Sequence, residues 1–146
     1  MLNIKRFQRL TLKQWWWIWC AFWRLWPINL RIKFKQGAWL RSKICWMSSS
    51  TSEAKAVTIS SQRHKEPVLM HEAVRLAARL HFLPTDCLPK SIVLADMLRR
   101  RSYSAKVFIG VNKKANQLYS HAWVEIDGAM LLEPEHVALD FTVIER

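Results

Sequence analysis

The hydrophobic pattern of the chain changes its period near residue 102. Between residues 67 and 101 the apolar side chains recur at helical spacing. From Ala105 onwards they alternate along the chain, as they do on strands that bury one face. Helices followed by strands pack as separate layers, so the sequence predicts an α+β fold with an antiparallel sheet.

Two helices are predicted before this change, over residues 67–83 and 87–101. The second begins at Cys87, and Asp86 or Thr85 suits its N-cap. Four strands are predicted after the change, and Asp127-Gly128 is a strong hairpin signal. The predicted strands cover residues 105–111, 119–126, 129–133 and 140–144.

The second predicted strand has two different faces. Ala122, Val124 and Ile126 alternate along it and are expected to face the core. The other face carries His121 among polar and aromatic neighbours, namely Tyr119, Trp123 and Glu125. His121 is therefore placed where a cleft can form.

Positive charge and tryptophan are concentrated in the first third of the chain. Residues 1–52 contain ten Lys or Arg and no acidic residue, and eight of the nine Trp precede residue 47. The apolar run 15–23 is shorter than the roughly 20 residues of a membrane span, and no signal-peptide cleavage site follows it. We expect a helix over about residues 6–26, ending near Pro27, and a shorter one over about 30–44.

These contrasts divide the chain into a basic Trp-rich helical segment (1–46), a polar linker (47–53) and a globular core (54–146). Three roles fit the first segment. Its aromatic side packs on the core, or it makes peripheral contact with an anionic membrane, or it docks a partner protein. Nucleic-acid binding is not expected, because no recognised motif accompanies the charge.

The cysteine count argues against a disulfide scaffold. Cys20, Cys45 and Cys87 are few and scattered, and no CxxC pair indicates a zinc site. We therefore expect a reduced, cytoplasmic protein without a cofactor. A metal site built from Cys87, His121 and His136 has weak support, since no helix places two of them at ligand spacing.

Cys87 occupies the predicted start of a helix. The partial positive charge and unpaired N–H groups there stabilise a thiolate, and they can also hold an oxyanion. The alternative is a buried structural cysteine. A cysteine at a helix start with a histidine on a later antiparallel strand, here His121, is the arrangement of papain-like and transglutaminase-like enzymes.

The motifs around these two residues resemble those of one family. They are CLPKS at 87–91, VFIGV at 107–111 and HAWVEIDG at 121–128. Together they look like the transglutaminase-like leader peptidases of lasso-peptide biosynthesis, in the stand-alone form, from about Glu66 to the end. The resemblance implies a papain-like cysteine peptidase that removes the leader from a ribosomally made precursor. It also implies two partners, a separate leader-recognition protein and an ATP-dependent macrolactam cyclase.

The resemblance makes Cys87 the nucleophile and His121 the general base. The family has an Asp about twelve residues after the histidine, and this chain has Glu133 there. Asp127 lies about 20 Å along the strand from His121, which is too far. A three-residue hairpin loop would place Glu133 opposite His121, a two-residue loop would turn it away, and the opposite shift would favour Glu135. Glu133 is the predicted acid.

Two other functions fit the sequence. A transglutaminase-like acyltransferase would use the same Cys87–His121 pair with an amine in place of water. A non-enzymatic basic protein would bind membranes or nucleic acid through its first third, with both residues merely packed.

Overall fold

A computed structural model describes residues 11–34, 65–114, 117–133 and 140–143. Within these residues, three helices precede the strands of one sheet, which is the predicted α+β fold. The helices are α1 (Leu12–Lys33), α2 (Lys65–Leu80) and α3 (Cys87–Arg99). The strands are β1 (Ala105–Lys114), β2 (Gln117–Ile126), β3 (Ala129–Met130) and β4 (Thr142–Val143).

The sheet is antiparallel, with the strand order β3-β2-β1-β4. The β1 and β2 strands pair along their whole length, from Ala105 opposite Ile126 to Lys114 opposite Gln117. This register places His121 opposite Gly110 of β1. Gly110 pairs on its other side with Val143 of β4, so Gly110 lies between His121 and β4 in the sheet.

Helix α1 starts at a capping box. The Thr11 hydroxyl accepts the backbone N–H of Gln14 at 3.3 Å, and the Gln14 side chain accepts the Thr11 N–H at 2.8 Å. The prediction that this helix ends near Pro27 is wrong, since α1 continues to Lys33. Residues 30–33, predicted to begin a second helix, therefore belong to the first one. The remaining parts of those predictions, residues 6–10 and 35–44, and the predicted linker 47–53 lie outside the described residues.

Packing on both sides of Pro27 explains why the helix continues. Proline removes one backbone hydrogen bond, which costs roughly 3 kcal/mol inside a helix. Leu25 before it is buried in the core, and Asn29 after it is buried too. The Asn29 amide donates to the Thr85 hydroxyl at 3.1 Å, which ties the second half of α1 to the connection before α3.

The other two helices differ from the prediction at their ends. Helix α2 ends at Leu80, three residues early, and the Leu83 backbone N–H donates to Nδ1 of His81 at 3.2 Å in the connection that follows. Helix α3 begins at Cys87 as predicted and ends at Arg99. Asp86 is its N-cap in extended conformation, although its side chain makes no capping hydrogen bond.

The hairpin between β2 and β3 has a two-residue loop. Asp127 and Gly128 have positive φ angles of 52° and 79°, and Ile126 pairs directly with Ala129. Positive φ at both positions is typical of a type I′ turn, in which glycine is the least strained residue. The three-residue loop that the choice of Glu133 required is therefore wrong. Strands β3 and β4 are also shorter than predicted, and residue 144 lies outside the described residues.

The main core lies between the three helices and one face of the sheet. As predicted, Ala122, Val124 and Ile126 of β2 are buried, and the last two join this core. Helix α1 contributes to the same core through Trp17, Ile18, Ala21 and Leu25. A smaller apolar cluster covers the opposite face of the sheet around Trp123 and Met130. Among the helices described, none is both long and apolar enough to cross a bilayer.

Candidate active site

Aromatic rings hold His121 on the outer face of the sheet. Its ring centroid lies 6.3 Å from that of Trp123, with the two planes only 19° apart. The Phe141 centroid lies 5.8 Å away from the same imidazole. Because Trp123 is almost completely buried, it gives the histidine a rigid wall, while 29% of the His121 side chain stays exposed.

Gly110 makes room for this arrangement. A Cβ atom at residue 110 would lie 2.7 Å from the Phe141 Cβ and 2.9 Å from Cζ3 of Trp123. A side chain at this position would therefore push apart the two rings that border His121. Sequence reasoning missed both Gly110 and Phe141. A glycine inside a strand pattern is a signal of close approach, and it could have indicated the first.

Glu133 forms a hydrogen bond with His121. The distance between Glu133 Oε2 and His121 Nε2 is 3.1 Å, and both side chains are largely buried. An ionised carboxylate can only accept hydrogen bonds, so Nε2 is the nitrogen that carries the proton. The lone pair of the neutral imidazole then lies on Nδ1, which is the atom available to take up a proton.

A bend in the chain brings Glu133 to this position. A regular ladder after the two-residue loop would pair Glu133 with Ala122 and point it to the other face. The Leu131 N–H still donates to the Val124 carbonyl at 3.0 Å, but Leu132 has a φ angle of 56°. This left-handed residue interrupts the alternation of the strand. Glu133 therefore contacts His121, although the register of the hairpin predicts that its side chain points to the other face.

The other acidic residues of this region have different surroundings. Glu125 is buried and accepts the indole N–H of Trp123 at 3.0 Å. Burial raises the pKa of the Glu125 carboxyl, and the hydrogen bond from Trp123 opposes this effect. Asp127 lies in the hairpin turn. Glu135, the alternative acid, and His136, the third member of the weakly supported metal site, lie outside the described residues.

Cys87 is the first residue of α3 and is a free, half-buried thiol. Its backbone N–H is one of the first four of the helix, which have no partner inside the helix. One turn later, the buried Ser91 hydroxyl donates to the Ala122 carbonyl at 2.9 Å. Residues four apart lie on the same side of a helix, and Ala122 follows His121 directly. This hydrogen bond ties α3, one turn after Cys87, to the residue of β2 that follows His121.

The structure thus brings two of the three predicted site residues into direct contact. Within the described residues, no hydrogen bond joins the Cys87 thiol to the His121 ring. Catalytic hydrogen bonds are often long in the absence of substrate and shorten when it binds. Ser91 was part of a sequence motif without an assigned role, and its hydrogen bond ties α3 to β2. In the described part of the chain, no group of three or more His, Cys, Asp or Glu side chains is placed to bind a metal ion.

A protein-family model matches most of the chain. The sequence profile of the transglutaminase-like superfamily matches residues 25–146, a range that begins within α1 and includes Cys87, His121 and Glu133. Neither the search of curated proteins nor the search of solved structures found a match. The superfamily includes cysteine peptidases and acyltransferases, and its members are generally enzymes. The chain belongs to the transglutaminase-like superfamily.

Proposed function

We propose that this chain is a cysteine peptidase that cleaves the leader from a ribosomally synthesised lasso-peptide precursor. Cys87 is the nucleophile, His121 the general base, and Glu133 the acid that positions His121. The observation that carries the proposal is the His121–Glu133 hydrogen bond, formed next to the residue of β2 to which Ser91 of α3 is hydrogen-bonded. The superfamily match supports cysteine chemistry, and the motifs at 87–91, 107–111 and 121–128 support a leader-peptide substrate.

In the first half of the proposed reaction, Nδ1 of His121 takes the Cys87 thiol proton. The thiolate attacks the carbonyl carbon at the leader–core junction, and the carbonyl π electrons move to oxygen. The Cys87 backbone N–H donates to this oxyanion. The C–N bond then breaks as the imidazolium returns its proton to the leaving amine, which releases the core peptide and leaves the leader as a thioester.

Water completes the reaction. His121 takes a proton from a water molecule, and the resulting hydroxide adds to the thioester carbonyl. The C–S bond breaks, the leader leaves with a free carboxylate, and the proton returns to Cys87. The Glu133 carboxylate stabilises the imidazolium in both halves, because the two groups are hydrogen-bonded in a largely buried setting.

The proposal includes two partners. A separate leader-recognition protein presents the precursor, and an ATP-dependent cyclase closes the macrolactam on the released core. The resemblance of the motifs at 87–91, 107–111 and 121–128 to those of the stand-alone leader peptidases supports both partners.

The identity of the products tests the proposal. The full chain is incubated in ¹⁸O-labelled water with a lasso precursor, its leader-recognition protein, the cyclase with ATP, and an added amine. The products are analysed by mass spectrometry. We expect a leader fragment with one labelled oxygen in its new carboxylate. An unlabelled leader joined to an added amine would instead identify an acyltransferase. An intact precursor, with the recognition protein and cyclase both present, would contradict the proposal.

Removing the charge of Glu133 should slow the reaction without weakening substrate binding. We expect Glu133→Gln to lower kcat about 10- to 100-fold with little change in KM, since the amide no longer stabilises the imidazolium. Asp127→Asn is the matched control, because it neutralises a carboxylate of the same hairpin that lies in the turn. It should retain the wild-type kcat. If Glu133→Ala has wild-type kinetics, Glu133 takes no part in the reaction.

A further inference from the structure

The outward side of α1 is apolar along most of its length. Five tryptophans there are between 44% and 63% exposed, although the opposite side of the helix is buried in the core. We call these residues the tryptophan face: Trp15, Trp16, Trp19, Trp23 and Trp26. A helix that is apolar on all sides is normally covered on all sides. Large exposed apolar patches on soluble proteins usually mark interaction sites.

The rings of the tryptophan face form an ordered surface. Trp23 and Trp26 stack with centroids 6.2 Å apart and planes only 8° apart, and Trp19 meets Trp23 edge-on at 5.6 Å. Phe82, which is 77% exposed in the connection between α2 and α3, extends this surface by packing on Trp26 at 6.5 Å. Because the rings already support one another, binding requires little additional ordering of side chains.

The charged residues of α1 itself are all basic. They are Lys13, Arg24, Arg31 and Lys33. Two of them are paired within the chain, Lys13 with Glu66 at 3.0 Å and Arg24 with Asp96. Arg31 and Lys33 lie in its last turn and are exposed. The same bias extends through residues 1–52, which have ten basic residues and no acidic one. The complementary surface is therefore apolar and anionic.

We propose that the tryptophan face binds an anionic lipid surface, with α1 lying in the plane of the bilayer interface. Tryptophan concentrates at this boundary because its ring is apolar and its N–H is polar, and Lys and Arg there contact lipid phosphates. Phe82 touches the surface only five residues before Cys87. Membrane binding would therefore hold the start of α3 close to the lipid. This inference does not depend on the proposed peptidase activity.

Vesicle binding by the full chain tests the proposal. Vesicles of phosphatidylcholine alone are compared with vesicles containing about 30% phosphatidylglycerol, by co-sedimentation. We expect binding to the anionic vesicles at least about tenfold stronger, and weakened by salt. Brominated lipids should quench the tryptophan emission of the wild-type chain, a readout that needs no variant.

Substitutions locate the contact. The triple variant Trp19→Ser/Trp23→Ser/Trp26→Ser should lose at least about 100-fold in binding, because it removes most of the apolar surface that enters the lipid. The matched control is Leu118→Ser/Tyr119→Ser, which replaces two exposed apolar residues of β2 and should bind as wild type. Circular dichroism shows whether each variant keeps its helices.

Four outcomes would overturn the proposal. The first is no binding to anionic vesicles. The second is equal binding by the triple variant with its fold intact. The third is a dimer that forms without lipid and is lost in the triple variant, which would identify a second copy as the occupant. The fourth is emission from the free monomer that acrylamide does not quench, which would show that other residues of the chain cover the face.

Discussion

Replacement of Cys87 by alanine should abolish cleavage of the precursor while leaving the fold intact. In the proposed mechanism the thiol forms the covalent bond to the leader, so its loss should lower kcat by at least about 10⁴-fold. Cys87 is only half-buried in the first turn of α3, so removal of its sulfur costs little packing. Mass spectrometry measures the cleavage, and thermal unfolding shows that the variant folds.

Cys20 provides the matched control for this experiment. It is also a free, half-buried cysteine, but it lies on α1. Cys20→Ala should cleave the precursor at the wild-type rate. Unchanged cleavage by Cys87→Ala would end the peptidase proposal, whatever the control shows.

Loss of the His121 imidazole should have the second largest effect. We expect His121→Ala to lower kcat/KM at least about 10³-fold, because the same ring removes the thiol proton and protonates the leaving amine. His71→Gln is the control, since this histidine lies on α2 and burial lowers its pKa, so that it is held neutral. It should retain wild-type cleavage. Near-normal cleavage by a folded His121→Ala variant would contradict the mechanism.

A double-mutant cycle separates the role of Glu133 from that of His121. If Glu133 acts only through the imidazole, Glu133→Gln should have no further effect once His121 is alanine. Additive losses would instead show that Glu133 contributes independently, through substrate binding or through stability.

Local signals were enough to predict much of the fold. Asp86 has a residue type that favours the N-cap position and it precedes α3, although its side chain makes no capping hydrogen bond. Asp127-Gly128 marks the hairpin through its positive φ angles. The alternation along β2 predicted which side chains face the core. These features depend on a few neighbouring residues, so they can be read without knowledge of the tertiary structure.

Tertiary contacts decided the features that the sequence did not reveal. Helix α1 continues through Pro27 because Leu25 and Asn29 are buried on either side of it. Likewise, nothing in the sequence indicates a left-handed Leu132, yet that residue turns Glu133 towards His121. Glu133 was chosen for a hairpin loop that the chain does not have, and the bend at Leu132 provides the contact instead.

In the first third of the chain, too, tertiary contacts decided what the local pattern left open. Its aromatic side was expected to pack on the core, to lie on a membrane or to dock a partner. Trp17 and Leu25 do pack in the core, but most of the tryptophans of α1 point outwards. An apolar pattern on all sides of a helix cannot show which side the rest of the protein covers.

The central claim is that the Cys87 thiol, at the start of α3, comes within reach of the His121 ring on β2. The rate of Cys87 alkylation by iodoacetamide tests it directly, in a Cys20→Ser/Cys45→Ser background with and without His121→Ala. Ordinary thiols react slowly near pH 6 because they are mostly protonated, and a neighbouring imidazole accelerates the reaction by taking the proton. The account predicts alkylation at least about tenfold faster when His121 is present. Equal rates in the two folded proteins would show that the pair does not meet, and would contradict the account.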